Sequence, residues 1–177
     1  MKDMQDPDWQ SWCAEKSRVH AEVLALNDQK LIKKLDLSSE SYLNSLEPIH
    51  GLSNLESINL DNNNFTKLDE LSNFPHLKSI SLRTNQIDSL DKLPLLNELE
   101  EFKIGENAIS SGLSKIKNFP NLKTLVMEGT GISDLSSFSG LKKLEVLDIS
   151  RNAISDFASL SGFQNLNNLN INNTFRG

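Results

Sequence analysis

Leu55-Glu-Ser-Ile58-Asn-Leu60-Asp-Asn-Asn63-Asn-Phe65-Thr-Lys-Leu68-Asp-Glu-Leu71-Ser-Asn-Phe74-Pro-His76 is a 22-residue stretch that recurs, with small changes, along most of the chain. Segments starting at Leu55, Leu77, Leu99, Leu122, Leu144 and Leu166 superimpose with steps of 22, 22, 23, 22 and 22 residues. A looser copy begins at Ile32, with Leu35, Leu37, Tyr42, Leu46, Ile49 and Leu52 in its apolar slots. Six full units and one truncated unit cover 146 of the 177 residues. The common form is L-x-x-L-x-L-x-x-N-x-I-x-x-L-x-x-L-x-x-L-x-x. Its compositional trace is an excess of Leu (29) and Asn (20). Self-similarity at a fixed period of this length marks a repeat architecture.

Each slot has a physical reading. The apolar residues at slots four and six alternate with period 2, as in a short strand with one buried face. One strand cannot bury that face alone, so successive copies must stack as a parallel sheet over a shared core. The Asn at slot nine (Asn63, Asn85, Asn107, Asn152) falls where the chain leaves the strand. Turned inward, its amide can donate to and accept from loop backbone groups that would otherwise be buried unpaired. Thr130, Thr174 and Glu40 take that slot in three copies, where the reading expects a weaker ladder. The later Leu, Ile and Phe slots fill the far side of each coil.

By these residues the chain resembles the leucine-rich-repeat superfamily, in the 22-residue form shared by phosphatase-regulatory and bacterial internalin-like proteins. The resemblance implies an α/β solenoid: a right-handed superhelix with a concave parallel β-sheet and short helical or extended convex segments. It implies binding of another molecule and leaves the partner open, because a fold does not by itself name a function.

The ends differ from the middle. Asp6-Pro7-Asp8 reads as an N-cap, a proline at the first helical position and an acid in the first turn. From there Trp9, Trp12, Cys13, Val19, His20, Val23 and Leu26 fall within an arc of about 140° on a helix. The expectation is a helical cap over residues 1–30, packed on the first coil, with the repeats spanning 31–177. The last copy stops after its strand at Thr174-Phe-Arg-Gly177 without a matching cap, which reads as a chain that continues with more repeats.

Catalytic and metal chemistry find little to work with. The sequence holds no G-x-S-x-G, H-E-x-x-H, P-loop or C-x-x-C motif. Asp61-x-Asn63 opens like a calcium loop, but Phe65 stands at the next ligand slot. The single cysteine, Cys13, excludes an internal disulfide and a Cys-rich zinc site. His50 and His76 sit between coils, as loop-bonded or solvated residues. Asn64-Phe65-Thr66 and Asn172-Asn173-Thr174 are formal glycosylation sequons with no export signal to support their use. The count of 18 basic against 24 acidic residues, net charge −6, opposes nucleic-acid binding. No apolar run is long enough to span a membrane, and residues 1–6 carry no signal-peptide core. These points place the protein in the cytoplasm, or export it by a route without an N-terminal signal. They give no cofactor, no metal, no small-molecule substrate and no enzymatic activity.

What remains is surface. The outward slots of the sheet form three columns, centred on Asp36, Asn59, Ser81, Lys103, Val126, Asp148 and Asn170. The second slot alternates in sign through Lys33, Glu56, Lys78, Glu100, Lys123 and Glu145, and adjacent strands lie about 4.8 Å apart, so this ladder neutralises itself. Val126 and Val146 are apolar in slots that water alone would make polar. With Thr124 between them and Glu101, Lys103, Glu128, Asp148 and Arg151 around them, they form an apolar centre inside a charged rim. Arg83, Lys103 and Arg151 are the long cations for a partner's carboxylates. The reading is therefore a non-catalytic module that binds a protein on its concave face. It is a regulator or stoichiometric inhibitor of an enzyme, or a bacterial effector-type protein. The alternative is the recognition arm of a longer protein whose activity lies C-terminal to this chain.

Overall fold

Each repeat forms one coil whose strand is three residues long, slots three to five, with one inward residue between two outward ones. The computed structural model describes residues 32–40 and 43–174. The expected cap, with Trp9, Trp12, Cys13 and His20, and the boundary near residue 30 lie outside the described residues. The strands are β1 (Lys34–Asp36), β2 (Ser57–Asn59), β3 (Ser79–Ser81), β4 (Glu101–Lys103), β5 (Thr124–Val126), β6 (Val146–Asp148) and β7 (Asn168–Asn170). They make one parallel sheet in chain order. Its register aligns Leu35, Ile58, Ile80, Phe102, Leu125, Leu147 and Leu169 in a single row. From Ile58 to Leu147 this row is at most 1% exposed. The slot assignment read from the sequence is therefore the register of the sheet, and the fold is the expected α/β solenoid.

The return segments run through 3-10 turns at Glu47–Ile49, Asp69–Asn73, Leu113–Asn118, Ser136–Phe138 and Ala158–Gly162. A 22-residue coil has few residues with which to recross the core. A 3-10 turn covers about 2.0 Å per residue against about 1.5 Å for an α-helix, so it suits that short path. Leu68, Leu71, Phe74 and their counterparts point inward from these segments and are buried. Coil 4 carries the extra residue of the 23-residue step. It is absorbed at Gly112, whose φ is +80°, and a side chain there would lie 2.4 Å from the Asp91 amide nitrogen. Only glycine allows this approach of two coils.

Every coil ends its strand in the same way. The residue at slot eight is left-handed in all seven coils: Ser39, Asn62, Thr84, Glu106, Gly129, Arg151 and Asn173, with φ between 54° and 61°. Its amide donates to the slot-seven carbonyl of the next coil, as in Thr84 to Gly105 at 2.9 Å and Glu106 to Glu128 at 2.8 Å. The slot-nine Asn then turns inward. The Asn107 amide donates to the carbonyls of Leu82 (2.9 Å), Ile104 (2.9 Å) and Gly105 (3.2 Å), and its oxygen accepts the Ile87 amide at 3.0 Å. Asn85 and Asn152 repeat this pattern.

Thr130 interrupts the ladder as expected. Its hydroxyl donates to the Met127 carbonyl of its own coil at 2.8 Å and towards Asn152 Oδ1 of the next at 3.3 Å, and makes no bond to the preceding coil. The Ile109 amide, which an Asn oxygen would otherwise accept, is taken by the Thr130 backbone carbonyl at 3.1 Å. The rupture is thus partly repaired by the main chain.

Two substitutions test this account by urea unfolding. Leu125→Ala removes a fully buried side chain and should cost about 2–5 kcal/mol. Asn107→Ala strips partners from buried carbonyls of two coils, and should cost at least about 1–3 kcal/mol although it removes almost no apolar volume.

Candidate protein-binding face

The outward slots of the sheet bring together the residues singled out from the sequence, and the register fixes their neighbours. Lys103 pairs with Val126 and Val126 with Asp148, while Glu101 pairs with Thr124 and Thr124 with Val146. Val126 and Val146 therefore sit diagonally on β5 and β6, with Thr124 beside both. All three are half-buried on the solvent side of the sheet. β-branched side chains suit such positions, where they stand upright on a pleated surface.

The charged rim differs from the expectation. Arg83, Lys103 and Arg151, read as cations for a partner, each hold a carboxylate of this chain. Lys103 Nζ lies 2.7 Å from Glu101, which also accepts the Ser79 hydroxyl at 2.6 Å. Burial pushes the Glu101 carboxyl upward, but the hydrogen bonds from Lys103 and Ser79 prevail and leave it below its ordinary value. Arg151 reaches Glu106 at 2.6 Å, and Arg83 reaches Glu128. Each of these two arginine pairs joins residues 45 positions apart, two coils away.

Both pairs pass over a glycine. Gly105 stands between Arg83 and Glu128, and Gly129 between Arg151 and Glu106. A side chain at Gly105 would overlap the Glu128 carboxylate, and one at Gly129 would press on that of Glu106. Glu128 fills the gap and is only 6% exposed, so it is a buried acid instead of a member of an exposed rim. The one sequence signal for this arrangement was the missing side chain at Gly105 in an otherwise polar column. Glu106 escaped notice because slot eight looks like ordinary loop. Asp148 is likewise occupied, by the Ser150 amide (3.0 Å) and hydroxyl (2.6 Å) and by the Asn170 amide (2.9 Å).

The alternating second-slot ladder closes three of its five steps as ion pairs. Glu56 accepts from Lys33 at 2.6 Å and from Lys78 at 2.8 Å, and Glu100 from Lys123 at 2.8 Å. The two lysines hold the Glu56 carboxyl down at about 2. His50 and His76 are bonded within the loops, to Glu70 at 3.2 Å and Glu98 at 2.9 Å. Among the described residues, no group of three or more His, Cys, Asp or Glu side chains is placed to hold a metal ion. No helix among them is long and apolar enough to cross a membrane.

Two family models match this chain, "Leucine Rich repeats (2 copies)" over residues 53–95 and "Leucine rich repeat" over residues 120–174. The chain belongs to the leucine-rich-repeat superfamily. Its solved neighbours include two internalins of Listeria monocytogenes. One, InlF, is 27% identical with a TM-score of 0.72, and the match covers 79% of this chain and 41% of the internalin. The other, an internalin C2, is 27% identical with a TM-score of 0.66, over 73% and 57% of the two chains. This leucine-rich-repeat chain thus spans about two-fifths to three-fifths of the length of those internalins. A leucine-rich-repeat protein of Leptospira interrogans, 20% identical with a TM-score of 0.64 over 80% of this chain and 43% of its own, shares the fold. No curated protein sequence matches.

The Glu56 ladder makes a pH prediction. A carboxyl held down at about 2 is charged in the folded protein throughout the range in which an unfolded glutamate, near 4.5, takes up its proton. Its stabilising contribution is therefore full above about pH 4.5 and fades as the pH falls towards 2. NMR titration of the Glu56 side chain should show the depressed midpoint, and Lys33→Met with Lys78→Met should return it to the ordinary range.

Proposed function

We propose that this leucine-rich-repeat chain is a non-catalytic module that binds another protein on the solvent face of its sheet, centred on Val126, Val146 and Thr124. The observation that carries the reading is the state of the charges around that centre. Arg83, Glu128, Arg151, Glu106, Lys103 and Glu101 are neutralised within the chain. A partner that covers the two valines meets charges that are mostly paired within the chain. Beside Val126 it also meets the Asp148 carboxylate, which pairs with no cation among the described residues but is hydrogen-bonded by Ser150 and Asn170. Desolvating a bare charge is what most often opposes burial of an interface. The apolar centre can then act as the small, well-surrounded anchor that concentrates binding energy in protein interfaces.

The partner's own charges play a secondary part in this reading. The internal pairs can satisfy themselves, so they add selectivity against misplaced partner charges instead of affinity. Regulation or stoichiometric inhibition of an enzyme, or an effector's engagement of a host protein, are the roles that such a face would serve. The same face would be a recognition arm in a longer protein.

The test compares the chain with a Val126→Glu/Val146→Glu variant in affinity capture from a native lysate. Both side chains already meet water, so the variant should unfold within about 0.5 kcal/mol of the parent. A protein retained by the parent and lost from the variant supports the proposal, and its activity with and without the chain separates inhibitor from scaffold. Retention of the same protein by both would move the site off these valines.

A further inference from the structure

The lysines on the flank of coils 4 and 5 lie in two acid-free stretches of the repeats. Residues 107–127 contain Lys115, Lys117 and Lys123 and no acid, and residues 135–144 contain Lys142 and Lys143 and no acid. This is a local cationic excess in a chain of net charge −6. On the sheet side, the second-slot ladder and the glycine-spanning arginine pairs hold many of the charges in ion pairs. Among the described residues, Lys115, Lys117, Lys142 and Lys143 make no ion pair within 4.0 Å, as is also true of the scattered Lys34, Lys67 and Lys92, whereas Lys33, Lys78, Arg83, Lys103, Lys123 and Arg151 do. The Ser111 and Ser89 hydroxyls hold the Asp91 carboxyl below its ordinary value, and the charges of Lys115 and Lys92 act in the same direction.

The stacking of coils brings Lys117 beside the segment that carries Lys142 and Lys143, with Lys115 two residues before Lys117 in the same 3-10 turn. Lys117 packs against Gly140, whose missing side chain would stand 3.3 Å from the Lys117 Cβ. Lys142 and Lys143 follow two and three residues later, and Lys143 Nζ donates to Asn121 Oδ1 at 2.7 Å. The Asn121 amide continues to the Asn97 carbonyl of coil 3 at 2.8 Å. Two residues before Asn97 stands Leu95, 62% exposed. It occupies the same point of coil 3 as Asn118 in coil 4 and Gly140 in coil 5, each directly before a buried Leu96, Phe119 or Leu141. The flank thus offers an apolar knob, then a low strip at Gly140, with lysines along it.

We propose that this flank is a second recognition surface, independent of the sheet face, for an acidic segment of a partner protein that carries an apolar residue for Leu95. Like charges left unpaired on adjacent coils repel one another, and a polyanionic segment relieves that repulsion while losing little of its own hydration. Two other anions fit less well. Stacking of single-stranded RNA needs exposed aromatic rings, and Phe119 and Phe138 beside the lysines are at most 1% exposed. A lipid surface needs a broader apolar face than one leucine, and the other exposed large hydrophobe among the described residues, Leu169, lies on β7.

The test is fluorescence anisotropy with a labelled Asp/Glu-rich peptide of about a dozen residues containing one Leu, in about 150 mM NaCl, where screening acts beyond ~8 Å. Saturable binding is expected, weakened at least about tenfold by Lys115→Glu/Lys117→Glu and by Lys142→Glu/Lys143→Glu, each variant checked for native circular dichroism. Leu95→Ser should weaken it, and a peptide with Ser for Leu should bind the parent less well. Val126→Glu/Val146→Glu should leave it unchanged. Absence of binding, or equal binding by the charge-reversed variants, overturns the proposal. So does loss in the valine variant, which would assign the peptide to the sheet face. Preference for phosphatidylserine-containing vesicles or a single-stranded RNA over the peptide overturns the choice of partner.

Discussion

The left-handed turn at the end of each strand is the constraint on which the solenoid depends. It reverses the chain within two residues and sets the slot-nine side chain inward, so that one Asn can serve two coils. A left-handed backbone costs a non-glycine residue about 1–2 kcal/mol. Thr84, Glu106 and Arg151 accept that cost because their amides close hydrogen bonds to the next coil and the neighbouring Asn to the preceding one. No coil can make those bonds alone. Stability is therefore a matter between neighbours, as in other repeat proteins, and at Thr130 the main chain takes over part of the ladder.

The same stacking governs the charges. Residues in one column are one strand spacing apart, so a sign that alternates along the column is neutralised at once, as from Lys33 to Glu56 and Lys78. Where a glycine interrupts a column, a long side chain can reach a second coil, and Arg83 meets Glu128 over Gly105. Two surfaces stand outside these pairings as continuous patches. One is apolar, at Val126 and Val146. The other is cationic, on the flank of Lys117 and Lys142, where the sequence supplies no acid to alternate with.

Much of this was open to a reading of the residues. The period of the pattern contains the coil, the alternation of slots four and six contains the strand, and Asn in slot nine contains the ladder. The register followed without error because a slip of one residue would expose every Leu of the sheet. The valine centre was visible for the same reason, since outward slots are named by the same count. The failure of the rim was equally physical. Arg83 and Glu128 are 45 residues apart, and no local rule pairs them.

The sequence by itself determined the repeat, the core and which side chains face water, because these depend on spacing along one coil. Only the tertiary structure decided which charges are already spent and which residues must turn left-handed. Those choices depend on contacts between coils, where a missing side chain at Gly105 or a carbonyl at Gly105 waiting for the Thr84 amide outweighs the local preference of any single residue.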